Sequence, residues 1–341
     1  MEEMKIDGME QYLRKSAYYD EYTALKSTEF YELIRAFNIE FLKKKNEMKN
    51  KKNKINDNIA NHLKSDDNYE TQSLIDDYLN ALNKETMQIE KTKAKNFEIN
   101  ENKGGALRKE YVIKHDAILN ILHDKNFIGT EHFFISDGIN VELNIIYYAD
   151  FIYASRFFYI GNDADVKINI MGMNKHFIEN RTFINFNGIN ANAFENISIL
   201  SSNGSIRTYT QLNHKKQQNK SDSKVHIALF NNASCSIEGM IKIYENAFNS
   251  DAFLDQKALV CSDNAKAFSY PSLEIANNNV RATHSSSIMR VEEEDLFYLR
   301  TRGLNYKQAY AEIVKSFLGF NDILLERLNK KIDENIYSLI S

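Results

Sequence analysis

The stretch Pro271–Leu318, PSLEIANNNVRATHSSSIMRVEEEDLFYLRTRGLNYKQAYAEIVKSFL, decides how the chain is read, because its period changes midway. Leu273 and Ile275 alternate with polar neighbours, as a half-buried strand requires. Asn277, Asn278 and Asn279 make a turn, since asparagine tolerates left-handed backbone and bonds nearby main chain. Val280, Ala282 and His284 then share one face of a second extended segment, because strand side chains repeat every second residue. Past Arg290 the spacing becomes helical. Glu292, Glu293, Glu294 and Asp295 collect where the positive end of a helix dipole favours them, and Leu296, Phe297 and Leu299 supply the apolar side. Gly303 ends that helix. Asn305 with Gln308 has the spacing of a capping box for the next, whose Ile313, Val314, Phe317 and Leu318 form a stripe.

Upstream of this stretch the texture is short β-type runs divided by Asn, Asp and Gly. They include Ile118 to Leu122, Val141 to Tyr148, Phe151 to Ile160, Val166 to Met171, Phe183 to Phe186, Ile197 to Leu200, Ile206 to Leu212, Val225 to Phe230 and Met240 to Tyr244. So many strands without intervening helix exclude a doubly wound α/β sheet. Sandwich, barrel and β-helix stay open on pattern, since no exact repeat period is visible. Strands near four or five residues with Asn-rich corners suit a solenoid, whose stacked rungs let asparagines ladder at the corners and Val, Ile and Phe stack inside. The run His214 to Lys224, HKKQQNKSDSK, reads as a polar loop leaving the stack.

The N-terminal third differs again. Tyr12, Ala17, Tyr18, Phe30, Leu33, Ile34, Phe37, Ile39, Phe41 and Leu42 recur at helical spacings, as do Leu74, Ile75, Tyr78, Leu79 and Leu82. The Lys/Asn run at 43–54 is a solvated face or linker, and Gly104-Gly105 reads as a boundary.

The whole chain, 341 residues long, can bury about three quarters of its unfolded surface. A net charge of −4, with basic residues scattered among acidic ones, argues against nucleic acid. Two cysteines, Cys235 and Cys261, exclude a disulfide framework and any four-thiolate site within one chain. No apolar run reaches membrane-span length, and the acidic Met1-Glu2-Glu3 start is unlike a signal peptide, so a cytoplasmic protein is expected. No Walker loop, Ser–His–Asp order or paired carboxylates can be argued, so no enzymatic activity is expected. His115, His123, His132, His176, His214 and His226 lack metal spacing and read as structural or exposed.

The "PSLEI" of Pro271–Ile275, the histidine after a short turn and the "LFYLRTRGL" of Leu296–Leu304 resemble the C-terminal signature of the SufB/SufD family of iron–sulfur cluster assembly scaffolds. The resemblance is sharp over Asp255–Leu318 and looser back to Phe127. It implies a right-handed parallel β-helix with N-terminal and C-terminal helical regions. The expected domains are a helical region at 1–105, a β-helix core at 106–290 and a helical domain at 291–341.

The resemblance further implies that His284 meets iron or a nascent cluster, held transiently at a dimer interface. Cys261 is a weaker candidate for that role. The cysteine of SufB-type members falls at Gln256 or Lys257 and their glutamate at Ser285, so the departures point to a SufD-like subunit or to a minimal homodimeric system with different ligands. Implied partners are a SufC-type ABC ATPase and a SufB-like subunit or a second copy. The ATPase would dock on Glu294, Asp295, Leu296, Phe297, Leu299, Arg300, Arg302, Gly303, Ile313 and Phe317, the apolar stripe anchoring and charges setting register. A reduced flavin in the full complex is implied by the family alone. The alternatives are a β-helix carbohydrate lyase or esterase, or a purely structural partner that never touches metal.

Overall fold

The computed structural model of the chain describes residues 84–89, 96–100, 105–174, 176–319 and 336–339. Among the described residues sixteen strands alternate between two sheets. One sheet runs β1 (Lys84–Ile89), β3 (Gly105–Ile113), β5 (Phe127–Ile135), β7 (Phe151–Ile160), β9 (Phe177–Phe186), β11 (Ser205–His214), β13 (Ser234–Ile243), β15 (Lys266–Ile275). The other runs β2 (Asn96–Asn100), β4 (Ala117–His123), β6 (Asn140–Tyr147), β8 (Asp165–Asn174), β10 (Asn192–Ser201), β12 (Lys220–Leu229), β14 (Asp251–Val260), β16 (Arg281–Met289). The pairings are parallel, each strand lying beside the one two before it. A chain that changes sheet at every strand and returns one layer further on is a parallel β-solenoid. The expected fold class holds, and the sandwich is excluded.

Alternation puts one face of each strand inside. In β13, Cys235, Ile237, Ile241 and Ile243 point inward and are buried. Parallel in-register pairing stacks like on like. Tyr111, Phe133 and Phe158 pile up at centroid separations of 4.7 Å along β3, β5 and β7. On the outer face of the second sheet Asn120, Asn144, Asn169 and Asn196 form a ladder, each amide donating to the preceding carbonyl oxygen at 2.8–3.2 Å.

One corner repeats a single backbone trick. Gly138, Asp163, Asn190, Gln218 and Asn249 all have positive φ, from 52° to 66°. Each donates its N–H to a carbonyl of the following rung, as Asp163 does to Ile189 at 2.9 Å and Asn249 to Asn279 at 2.7 Å. Glycine and Asx residues enter left-handed backbone at least cost, which is why the corners are rich in them.

The repeat escapes notice in the sequence because its length drifts. Phe97 lies beside Leu119, 22 residues on, whereas Lys220 lies beside Asp251, 31 residues on. Strands are also longer than the four or five residues expected, ten in β7 to β15. Inward polar residues such as Thr182, Glu195 and Ser223 interrupt the apolar runs, so that Phe183 to Phe186, Ile197 to Leu200 and Val225 to Phe230 read short.

The supposed loop at His214–Lys224 is a correction. His214 ends β11, Lys220 begins β12, and Ser221 and Ser223 are buried inside the stack. The ring Nε2 of His214 lies 2.8 Å from Ser221 Oγ, and burial pushes that imidazole down to about 3. A polar run can thus be a rung when its inward members are small and bonded to one another.

β1 and β2 fall within the stretch 1–105 assigned above to a helical region. The helices expected at residues 12–42 and 74–82 and the Lys/Asn run at 43–54 lie outside the described residues. After β16 come α1 (Glu293–Thr301) and α2 (Tyr306–Leu318). The capping box is present: Gln308 N–H donates to Asn305 Oδ1 at 3.0 Å, and Asn305 N–H to Gln308 Oε1 at 2.9 Å. Ala309, Tyr310, Ala311, Val314 and Leu318 pack with Leu200, Ala228, Phe230 and Leu259 on the outer face of the second sheet. None of the described helices is long and apolar enough to cross a membrane.

Candidate cluster site and partner surfaces

Among the described residues β15 and β16 end their sheets and so have a strand neighbour on one side only. Register carries the inward rows into this last rung: Leu273 lies beside Ile241, Ile275 beside Ile243 and Ile288 beside Ala258. Their neighbours are buried, yet these three are 39%, 45% and 51% exposed. Phe268 and Tyr270, on the opposite face of β15, are exposed as well. The stack therefore ends on apolar side chains and unpaired strand edges of the kind that recruit another chain. Pro271, the only proline, sits in the edge strand β15, where a missing N–H is tolerated.

His284 occupies the inward row of β16 beside Leu254, and it is exposed because no described strand stacks beyond it. Near it, Ser286 Oγ donates to Ser269 Oγ at 2.8 Å, and Ser269 Oγ lies 3.0 Å from Gln256 Oε1. Cys261 is elsewhere. It follows β14, seven residues beyond Leu254, about 23 Å along the strand direction. Its thiol lies 3.7 Å from the Leu259 carbonyl, and burial pushes it up to about 12. A protonated thiol packed beneath α2 behaves as a small apolar residue. Cys235 is inward-facing and its thiol likewise pushed up to about 12 by burial. The structure does not bring His284 and Cys261 together. Among the described residues no cluster of three His, Cys, Asp or Glu could hold a metal ion.

The helical candidates divide in two. Leu296 is buried, Leu299 and Ile313 are half-buried, and Phe317 stacks on His226 at 5.1 Å, so these four serve their own domain first. Phe297 and Tyr298 are 68% and 57% exposed on α1, flanked by exposed Glu294, Asp295, Arg300 and Arg302. Arg302 bonds the Tyr298 hydroxyl at 3.2 Å, and Gly303 beyond it takes φ 97°. Tyr298 was passed over in the sequence because only an outward-facing aromatic pair, not an alternating one, marks such a surface.

Residues 148–317 match the family described as SUF system FeS cluster assembly, SufBD core domain. The chain is a member of the SufB/SufD family. Its relatives include an iron-sulfur cluster assembly SufBD family protein of Mycobacterium bovis, 40% identical over 82 residues, which are 24% of this chain and 21% of the relative. The SufD proteins of Escherichia coli and Bacillus subtilis are each 27% identical. They match over 32% and 36% of this chain and 26% and 29% of their own length. The alignments thus span well under a third of the relatives they match.

Neither Gln256 nor Lys257, which the resemblance sets against the SufB-type cysteine, has a thiol to hold sulfur. Gln256 is inward and fully buried, with its amide against Gly239, where a Cβ would come within 2.6 Å of Nε2. Lys257 points outward and pairs with Asp255 at 2.8 Å. Ser285, which the resemblance sets against the SufB-type glutamate, donates to the same carboxylate. Burial works against charge on Asp255, but hydrogen bonds from Lys257, Ser285 and His226 outweigh it and hold the carboxyl below its ordinary range.

One constellation was missed from sequence. Arg156 Nη2 meets Glu131 Oε2 at 2.7 Å inside the solenoid, both side chains fully buried. His123 Nε2 lies 3.6 Å from the other carboxylate oxygen. Arg156 Nη1 donates to Asn180 Oδ1 at 2.8 Å, and the Tyr147 hydroxyl donates to the same oxygen at 2.7 Å. Further along, Glu195 accepts from Ser223 at 2.6 Å and Thr210 at 3.1 Å, while burial pushes its carboxyl up. The signal was a charge in an apolar run: Glu131 and Arg156 each share the inward row with Phe133 and Phe158 two residues on.

Proposed function

We propose that this chain is a SufD-like scaffold subunit of a SUF-type iron–sulfur cluster assembly complex in the cytoplasm. The single observation that carries the reading is the open last rung, where exposed Leu273, Ile275 and Ile288 flank His284 on unpaired strand edges. A second copy or a SufB-like subunit adds its own edge strands there and covers these side chains. Iron or the nascent cluster is cargo at that seam, with the His284 imidazole as its ligand from this side. The thiolate and acid come from the partner, since Gln256, Lys257 and Ser285 cannot supply them.

A SufC-type ATPase docks on α1 through Phe297 and Tyr298, ringed by Glu294, Asp295, Arg300 and Arg302. ATP binding then moves the scaffold pair by favouring one of its arrangements. The chain is not itself the enzyme, and any reduced flavin belongs to the assembled complex.

The test is anaerobic reconstitution of the co-purified complex with ferrous iron and sulfide, comparing wild type with His284→Ala. The proposal expects cluster yield per complex to fall several-fold while the complex keeps its mass. Unchanged yield removes His284 from the cargo site and leaves a structural partner.

A further inference from the structure

The last four carbonyls of α2 all have partners, and two come from the solenoid. Lys315 and Ser316 carbonyls accept from the Gly319 N–H, where φ is 70°. Leu318 accepts from Ser198 Oγ of β10 at 2.6 Å. Phe317 meets His226 Nδ1 of β12 at 2.8 Å, and the ring's other nitrogen, Nε2, lies 3.2 Å from Asp255 Oδ2 of β14. A carbonyl oxygen and a carboxylate only accept. A neutral imidazole carries one N–H and can satisfy one of them; an imidazolium carries two and satisfies both.

From this geometry we infer that His226 is a proton-dependent clasp, holding the C-terminal end of α2 to the solenoid when its ring is doubly protonated and loosening it when the proton leaves. A cation there also meets the negative end of the α2 dipole. The groups around the ring are few. β14 presents Asp255 and Lys257, themselves paired at 2.8 Å. β12 itself presents Asp222 and Lys224 on the same face, 3.9 Å apart. β16 contributes Ser285, which bonds Asp255 and carries no charge. α2 contributes the Phe317 ring and its carbonyl, while its last-turn Lys315 pairs with Glu312 of the same helix. Nothing else titratable within this set offers the ring a hydrogen bond, so the proton count at the clasp is that of His226. The inference does not depend on the cluster-assembly reading.

The experiment is hydrogen–deuterium exchange of the 309–319 segment in the full chain across pH, corrected for intrinsic exchange, with the His226 ring titration followed in parallel by 15N NMR. Exchange in the last turn of α2 should slow by about tenfold on protonation, with the midpoint of the ring titration. His226→Gln should abolish the pH dependence. Asp255→Asn should also abolish it but keep the segment protected, because an amide N–H can donate to a neutral Nε2 and leave Nδ1–H for Phe317. Protection that ignores the ring titration, or an Asp255→Asn protein with wild-type pH dependence, overturns the inference. If His226→Gln fails to fold, the Asp255→Asn comparison decides.

Discussion

Arg156 stands in strand register directly beside Glu131, and the two side chains meet at 2.7 Å in the closed interior of the solenoid. Burial alone would push the Glu131 carboxyl up, but Arg156, then His123, outweigh it and hold it to about 2. Glu131→Gln leaves a guanidinium buried without its counter-charge and should cost about 3–5 kcal/mol in denaturant unfolding. The double substitution Glu131→Leu with Arg156→Met should recover most of that loss, since a buried ion pair contributes little net stability over well-packed apolar residues. Equal destabilisation by single and double variants would show that the pair does not act as a unit.

His214 sets the acid response. Its ring titrates near 3 in the folded chain and near 6.5 unfolded, so the unfolded state binds more protons between those values. Its contribution to stability is full above pH of about 6.5 and shrinks, by at most about 1.4 kcal/mol per pH unit, as the pH falls toward 3. Glu131 acts in a lower window, its contribution present above about 4.3 and lost as the pH falls toward 2. Denaturation midpoints of wild type and His214→Gln measured from pH 7 to 4 should therefore converge as the pH drops. Parallel curves would contradict the assignment.

Gln218 is the odd member of the left-handed corner, standing at φ 61° where other rungs place Gly138, Asp163, Asn190 and Asn249. Its side chain is exposed, so only backbone strain is at stake. Gln218→Asn should raise unfolding stability by about 0.5–1 kcal/mol. A loss of stability would mean that the strain is not there.

Gly188 tests how tightly the corners nest. A Cβ there would lie 2.2 Å from the Asn162 nitrogen and 2.5 Å from the Gly161 carbonyl oxygen, both backbone atoms of the preceding rung. Gly188→Ala should cost about 1–3 kcal/mol in thermal or denaturant unfolding. A neutral effect would show the turns free to separate.

These positions also show what the sequence could tell. Alternation in Val166–Ile170, Asn-rich corners, the capping box of Asn305 and Gln308 and the family signature at Pro271–Leu304 lead to a β-solenoid followed by helices, which the structure bears out. The rung containing Ser221 and Ser223 and the interior ion pair stayed hidden for one shared reason. Periodicity detects an apolar inner face, whereas a bonded polar group inside reads as loop or surface. The open end was invisible too, because exposure of Ile275 and Ile288 depends on which strand is last, not on local pattern.

The most direct test of the scaffold assignment is the native mass of the complex formed with a SufC-type ATPase and a SufB-like subunit, for wild type and for a chain carrying Ile275→Lys and Ile288→Lys. The account predicts that wild type assembles through its last rung, with a partner or with itself, and that the double variant stays folded, keeps the ATPase and loses the pairing. A variant that pairs as well as wild type, or a wild-type chain that stays monomeric with both proteins present, would contradict it.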